Sequence, residues 1–213
     1  MNTTIYLIRH GESDGNAAHI FCGQTNVPLT PRGVRQAEIT GAYMRQFHLD
    51  AVYASDLIRA FKTGSIIANC QFLSAIPDPQ LREIHGGAWE NQNYDWIGRH
   101  FPAELAVWQQ NVGCARCPGG ESVVQVQQRI TRRIRELARE NSGKVLGLAT
   151  HALAIRAFVG FVLQKQPDTW HEIPWATNAS VTTVSYAVES DTFSLLQYSA
   201  DAHLSGLQTQ SLA

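Results

Sequence analysis

The chain has 213 residues, of which 44% are hydrophobic and 16% charged, enough for one good-sized core with at most a small inserted subdomain. Its formal net charge is -1 at pH 7, so no global field draws it to nucleic acid or to an anionic membrane, and any anion binding must come from a few converging cations. No apolar run approaches the roughly 20 residues that span a bilayer.

The N-terminus, Met1-Asn2-Thr3-Thr4-Ile5, has no basic n-region or cleavage site and reads as a strand of the mature fold, which points to a cytoplasmic protein. Residues 4–8 (TIYLI) are β-rich and stop at Arg9. Thr30-Pro31 places an N-cap hydroxyl before a proline at N1, where its missing N–H costs nothing. Behind it Val34, Ala37, Gly41 and Met44 recur at helical spacing. Residues 51–54 (AVYA) form a second apolar run, and a shorter extended stretch ends near Leu81. Residues 86–120 change character, with Trp89, Trp96 and Trp108, glycine pairs at both ends and no strand pattern. They read as loops and short helices inserted over one edge of the sheet, a lid or substrate wall.

Ser122 with Gln125 is a candidate capping box. Its helix carries Val123, Val126, Ile130, Ile134 and Leu137 on one face, and Arg129, Arg132, Arg133, Arg135 and Arg139 on the rest. Given the balanced total charge, the arginines read as a solvated face, not an RNA-binding surface. Residues 144–150 (KVLGLAT), 181–186 (VTTVSY) and 192–198 (TFSLLQY) complete the strands. The last would pair with the one before it at an edge, and the small polar tail after Tyr198 is expected to be poorly ordered. Apolar strands alternating with helices imply one domain over residues 1–213 with a largely parallel sheet, covered on both faces. Cys114-Ala115-Arg116-Cys117 has CxxC spacing but neither a second CxxC nor an HxxxH partner, so it reads as an incidental loop pair and no metal is expected.

Open α/β sheets bind ligands at the carboxyl ends of their strands. Arg9, His10, Gly11 and Glu12 follow the first strand; Ser55-Asp56 and Arg59 follow the second; Arg82 and Glu83 follow the stretch ending near Leu81; His151 and Arg156 follow residues 144–150. Each has a bland reading alone, as a satisfied core histidine or a helix-surface arginine. Together they form an anion site. Arg9 and Arg59 would clamp a phosphoryl group, with His151 a further donor and Asn16 within reach. A neutral His10 would attack phosphorus while an acceptor holds its other ring nitrogen. Glu83 would protonate the leaving alkoxide and later deprotonate water.

The chain resembles the histidine phosphatase superfamily, also called phosphoglycerate-mutase-like proteins. The resemblance rests on Leu7-Ile8-Arg9-His10-Gly11-Glu12-Ser13 with Asn16, Pro28-Leu29-Thr30-Pro31-Arg32-Gly33 with Gln36-Ala37, Ala54-Ser55-Asp56-Leu57 with Arg59-Ala60, and Leu81-Arg82-Glu83-Ile84. It continues through Pro118-Gly119-Gly120-Glu121-Ser122, Thr150-His151 with Arg156, and Asn178-Ala179-Ser180. It implies a three-layer α/β/α sandwich with a mostly parallel sheet, His10 as the phosphorylated nucleophile, Glu83 as proton donor, and Arg9, Arg59 and His151 around the phosphate. Asn16, Gln24 and Thr25 are expected to contact substrate. No cofactor is expected. The expected partner is a small phosphorylated metabolite such as a sugar phosphate, a phosphoglycerate or α-ribazole phosphate, and a homodimer is open. Phe21-Cys22-Gly23-Gln24 and Arg82-Glu83-Ile84-His85-Gly86 depart from the mutases' Phe-Thr-Gly-Trp and Asn-Glu-Arg-His-Tyr-Gly, which favours a phosphatase over a mutase. Retention of both nucleophile and acid disfavours a non-catalytic phospho-ligand module. Ala152-Leu153 stand where many relatives have Gly-Gly and are expected to narrow the pocket.

Overall fold

A computed structural model describes residues 1–208. Six strands form the central sheet: β1 (Asn2–Arg9), β3 (Ala51–Ala54), β4 (Ala75–Pro77), β6 (Val145–Thr150), β7 (Val181–Ala187) and β8 (Thr192–Ala200). Their order is β4-β3-β6-β1-β7-β8. The first four are parallel, and β7 and β8 run antiparallel at one side. A separate ladder joins β2 (Ile20–Phe21) to β5 (Gln92–Asn93). Strand β5 therefore corrects the strandless reading of residues 86–120; two residues are too few to leave a periodic signal.

Alternation along β1 sorts the two faces. Ile5 and Leu7 join a core with α6 (Val123–Glu140) and α7 (Ala152–Val162), while Tyr6 and Ile8 join one with α2 (Pro31–Met44) and α3 (Ile58–Cys70). Two helix layers thus sandwich the sheet. Helix α2 begins as its cap requires, with Thr30 Oγ1 accepting from Gly33 N at 3.0 Å, and the Ser122–Gln125 capping box of α6 is formed. The short α1 (Asp14–Ala17), α4 (Tyr94–His100) and α5 (Pro102–Gln110) flank the sheet's carboxyl edge. No helix among the described residues is long and apolar enough to cross a membrane.

Two expectations need correction. The stretch before Arg82 is not extended throughout: β4 ends at Pro77, Asp78 caps a 3-10 turn over Pro79–Leu81, and that turn delivers Arg82 and Glu83. The segment after Tyr198 is ordered as far as it is described. Leu204 is fully buried, His203 stacks on Tyr43 and meets Thr40, and Leu207 O accepts from Gln36. One buried leucine and a histidine hold the segment against α2, a contact its polar composition hides. Residues 209–213 lie outside the described part.

The register aligns the strand exits. Arg9 lies beside Thr150, Ala54 beside Ala149, and Pro77 beside Ala54. Ile8 pairs with Val181 at the start of β7, so 178–180 arrive at the same edge from the opposite direction.

Candidate active site

His10 leaves β1 with its backbone fully engaged. Its N–H donates to Thr150 O at 3.0 Å, and its carbonyl accepts from Asn178 Nδ2 at 3.0 Å. The next residue must be glycine. A Cβ on Gly11 would lie 2.2 Å from Gly33 O, and one on Gly33 would lie 1.9 Å from Glu12 O. The loop therefore lies backbone to backbone on the first turn of α2. His10 Nδ1 is 2.7 Å from Gly11 O. A carbonyl can only accept, so Nδ1 carries the proton and Nε2 holds a lone pair. Arg59 Nε donates toward that nitrogen from 3.3 Å. Burial, and then the charges of Arg59 and Arg9, hold the His10 pKa well below the usual histidine value. The ring is a neutral base with its lone pair on Nε2.

The cations around it have no anion of their own. Arg59, 2% exposed, is oriented by two carbonyls: Nη1 donates to Thr25 O at 2.9 Å and Nη2 to Gly23 O at 2.7 Å. Arg9 Nη1 donates to Ala176 O at 2.6 Å, and its Nε is buried without a partner. Burial lowers the Arg9 pKa to about 10, which leaves it charged at neutral pH. Neither arginine pairs with a carboxylate among the described residues. His151 is fully buried behind His10, its ring edge-on at 5.2 Å. Its Nε2 lies 2.8 Å from Ser55 Oγ, which itself accepts from Leu57 N. The other ring nitrogen, Nδ1, is buried and unpartnered. The orphaned Arg9 Nε, beside two guanidiniums without a carboxylate partner, calls for an anion with several oxygens.

Glu83 faces these groups from the 78–85 segment. Its Oε1 accepts from Ile84 N at 3.0 Å and its Oε2 from Leu153 N, in the first turn of α7, at 3.2 Å. Burial raises the carboxyl pKa above its usual range, outweighing these two N–H groups and the nearby arginines. A carboxyl so placed can hold a proton where a solvated glutamate would not. Arg9, His10, Asn16, Arg59 and Glu83 all line one cleft of about 630 Å3 including its open mouth, and Ala152 and Leu153 form part of its wall. Ser13 caps α1 and Asn16 completes the capping box: its Oδ1 accepts from Ser13 N and Asn178 Nδ2, which turns the amide nitrogen away from those partners.

The sequence profile of the histidine phosphatase superfamily (branch 1) matches residues 5–199. The chain belongs to the histidine phosphatase superfamily. The probable phosphoglycerate mutase GpmB of Yersinia pestis (strain Pestoides F) is 33% identical over 162 residues, 75% of this chain and 74% of that protein. Among solved structures, Bacillus stearothermophilus YhfR superposes with a TM-score of 0.90 at 27% identity, covering 95% of this chain and 99% of that one. A mycobacterial glucosyl-3-phosphoglycerate phosphatase does so with a TM-score of 0.85 at 26% identity, covering 94% of this chain and 100% of that one.

Not every residue singled out in the sequence of this histidine phosphatase reaches the cleft. His151 lies against His10 but does not form the open wall. Gln24 and Thr25 are not in the wall either, because protein partners engage their side chains. Gln24 bridges Glu83 O and Arg82, and Thr25 Oγ1 donates to Glu90 at 2.5 Å. Arg82 forms a bidentate pair with Asp56, at 2.6 and 2.5 Å. Arg156 stacks on Trp175, 4.4 Å from the ring centre.

Two residues with a part in the site carried no signal of their own. Glu90 accepts from Gly86 N and Gln24 N through Oε1, and from Thr25 N and Thr25 Oγ1 through Oε2, all within 2.8 Å. It fixes the loop whose carbonyls aim Arg59. Arg129 is not on a solvated face. It donates to the carbonyls of Gln80, Arg82 and Glu83 and pairs with Glu121 at 3.0 Å, clamping the acid-bearing segment. Arg133 likewise pairs with the buried Asp78 at 2.6 Å. A helix-face pattern cannot reveal such contacts, because the partner segment lies some 45–55 residues away in the chain. Cys114 and Cys117 are free, the first exposed and the second buried.

Proposed function

We propose that this histidine phosphatase is a metal-independent phosphomonoesterase that hydrolyses a small phosphorylated metabolite through a phosphohistidine on His10. The observation that carries the reading is the tautomer of His10: Gly11 O accepts the Nδ1–H hydrogen bond, so Nε2 keeps its lone pair, toward which Arg59 Nε points, and His10, Arg9 and Arg59 line one cleft. Arg9 and Arg59 bind the phosphoryl oxygens, with His151 and Asn16 as further donors. The guanidiniums supply the charge stabilisation that phosphoryl transfer requires. His10 Nε2 attacks phosphorus, the bond to the alcohol oxygen breaks, and Glu83 gives that oxygen its proton. The Glu83 carboxylate then takes a proton from water. The hydroxide oxygen bonds to phosphorus, the P–N bond breaks, and inorganic phosphate leaves with His10 neutral again.

The phosphatase named among the solved structures, alike over 94% of this chain, supports transfer to water. The mutase name of the curated relatives favours a second reading, in which phospho-His10 returns its group to the product. Hydrolysis of p-nitrophenyl phosphate with and without EDTA, by wild type and His10→Ala, tests the first reading. Wild-type activity should survive EDTA and fall on the order of 10³-fold or more in the variant. Equal turnover by His10→Ala, or loss of activity in EDTA, would overturn it. Interconversion of 3- and 2-phosphoglycerate after priming with 2,3-bisphosphoglycerate would establish the mutase reading instead.

A further inference from the structure

The cleft draws its fixed positive charge from two residues. Arg9 and Arg59 are the only lysine or arginine residues in its described wall, and the reading above assigns both to the phosphoryl group. Beyond them the wall combines Ser13, Asn16, Cys22 and Gly23 with an apolar, largely aromatic part. Phe21 comes from β2, Tyr94 and Trp108 from α4 and α5, Trp175 from the segment leading to Ala176, and Ile84 and Leu153 flank Glu83. The rings form a continuous bracket. Trp108 lies 6.1 Å from Trp175 and 5.2 Å from Phe21, and Phe21 lies 6.3 Å from Tyr94. Trp175 adjoins Ala176, whose carbonyl holds Arg9, so the bracket begins where the phosphate clamp ends.

Nearby cations are withheld from this space. Arg82 is paired with Asp56, and Arg129 with Glu121 and three carbonyls. Arg156 is buried, bonded to Trp170 O at 2.7 Å and stacked on Trp175, a ring that is in the cleft wall while Arg156 is not. An anionic group on the alcohol half of a substrate would lose hydration here and find no counter-charge. A flat apolar ring would find faces and edges to pack against.

From this wall we infer that the site selects phosphomonoesters whose alcohol half is uncharged and carries an aromatic ring, and discriminates against carboxylate-bearing or doubly phosphorylated alcohols. The inference rests on the phosphomonoesterase reading and extends it to substrate class. Leaving groups must be matched for a fair test, since a phenol departs more easily than an alkanol. The esters are therefore 2-phenylethyl phosphate, glycerol 3-phosphate and 3-phosphoglycerate, all alkyl phosphates.

The full-length enzyme should show kcat/KM for 2-phenylethyl phosphate about 10²-fold or more above that for 3-phosphoglycerate, with glycerol 3-phosphate between. Trp175→Ala removes the ring that covers Arg156, so the ratio of the two extreme values should fall at least about tenfold. Trp108→Phe, a milder change in a packed cluster, should lower the same ratio by a smaller factor. Turnover of 3-phosphoglycerate within threefold of 2-phenylethyl phosphate would overturn the inference and leave the phosphatase reading standing. So would an unchanged ratio in Trp175→Ala. If none of the three esters nor p-nitrophenyl phosphate is hydrolysed, the phosphatase reading fails and takes the inference with it.

Discussion

Replacing Glu90 with glutamine tests whether Arg59 is aimed from a distance. The carboxylate accepts four hydrogen bonds, two on each oxygen. A glutamine must turn its NH2 toward one pair. Facing Gly86 N and Gln24 N it would leave two N–H groups unsatisfied. Facing Thr25 it leaves one, because the Thr25 hydroxyl can rotate and accept. The second arrangement is the cheaper, and one unsatisfied, partly buried N–H costs about 1–3 kcal/mol. At roughly 2–4 °C per kcal/mol for a chain of this size, Tm should fall by about 2–12 °C. The affected N–H belongs to Thr25, the residue whose carbonyl accepts from Arg59 Nη1. A shift of a few tenths of an ångström there should lower kcat by about tenfold, given that ~1 Å can cost ~10²-fold. Stability loss alone would not distinguish this route, so the assay is a double-mutant cycle with Arg59→Lys, read in kcat well below both Tm values. If Glu90 acts through Arg59, its effect should largely vanish in the Arg59→Lys background. Fully additive effects, or kcat of Glu90→Gln within twofold of wild type, would refute the route.

Three further changes bear on other parts of the site. Glu83→Gln should slow hydrolysis of an alkyl phosphate by about 10²–10⁴-fold and of p-nitrophenyl phosphate by much less, because p-nitrophenol leaves without protonation; equal losses would remove Glu83 as the acid. The raised Glu83 pKa also sets the sign of the pH dependence: in single turnovers with an alkyl ester, formation of phosphoenzyme should fall as pH rises through that pKa, while its breakdown, which needs the carboxylate, should rise. Arg129→Met leaves Glu121 without its partner and frees three carbonyls, so denaturant titration should show a loss of about 2–4 kcal/mol, with alkyl ester turnover impaired more than that of p-nitrophenyl phosphate. Gly11→Ala would place a Cβ 2.2 Å from Gly33 O, and overpacking against backbone should cost about 3 kcal/mol or more and displace His10, measurable by thermal unfolding and by activity.

The candidate site residues were legible because open α/β sheets gather ligand-binding groups at strand exits. Arg9, His10, Glu83 and His151 each follow an apolar run or a turn, and the parallel register brings those ends together. The apolar face of α6 was legible for a similar reason, since its period needs no knowledge of the partner. What stayed hidden were relations between segments. Gln24 and Thr25 lie beside the cleft, but whether their side chains turn to substrate or to protein depends on Glu90, 65 residues further along. Arg129 has the same helical position as a solvated arginine, and only the crossing of α6 behind residues 80–83 makes it a clamp. The segment after Tyr198 looks like a loose tail until Leu204 and His203 find α2.

The proposed reaction stands most directly on the chemical identity of its intermediate. Rapid quench of the enzyme with a labelled phosphomonoester in the presence of EDTA, followed by digestion and mass spectrometry, locates the phosphoryl group. Because Gly11 O holds the Nδ1 proton, the label should appear on His10 as the Nε2 phosphohistidine, acid-labile and base-stable, and should be absent from His10→Ala. A label on any other residue, on Nδ1 of His10, or on no residue while turnover continues would contradict it.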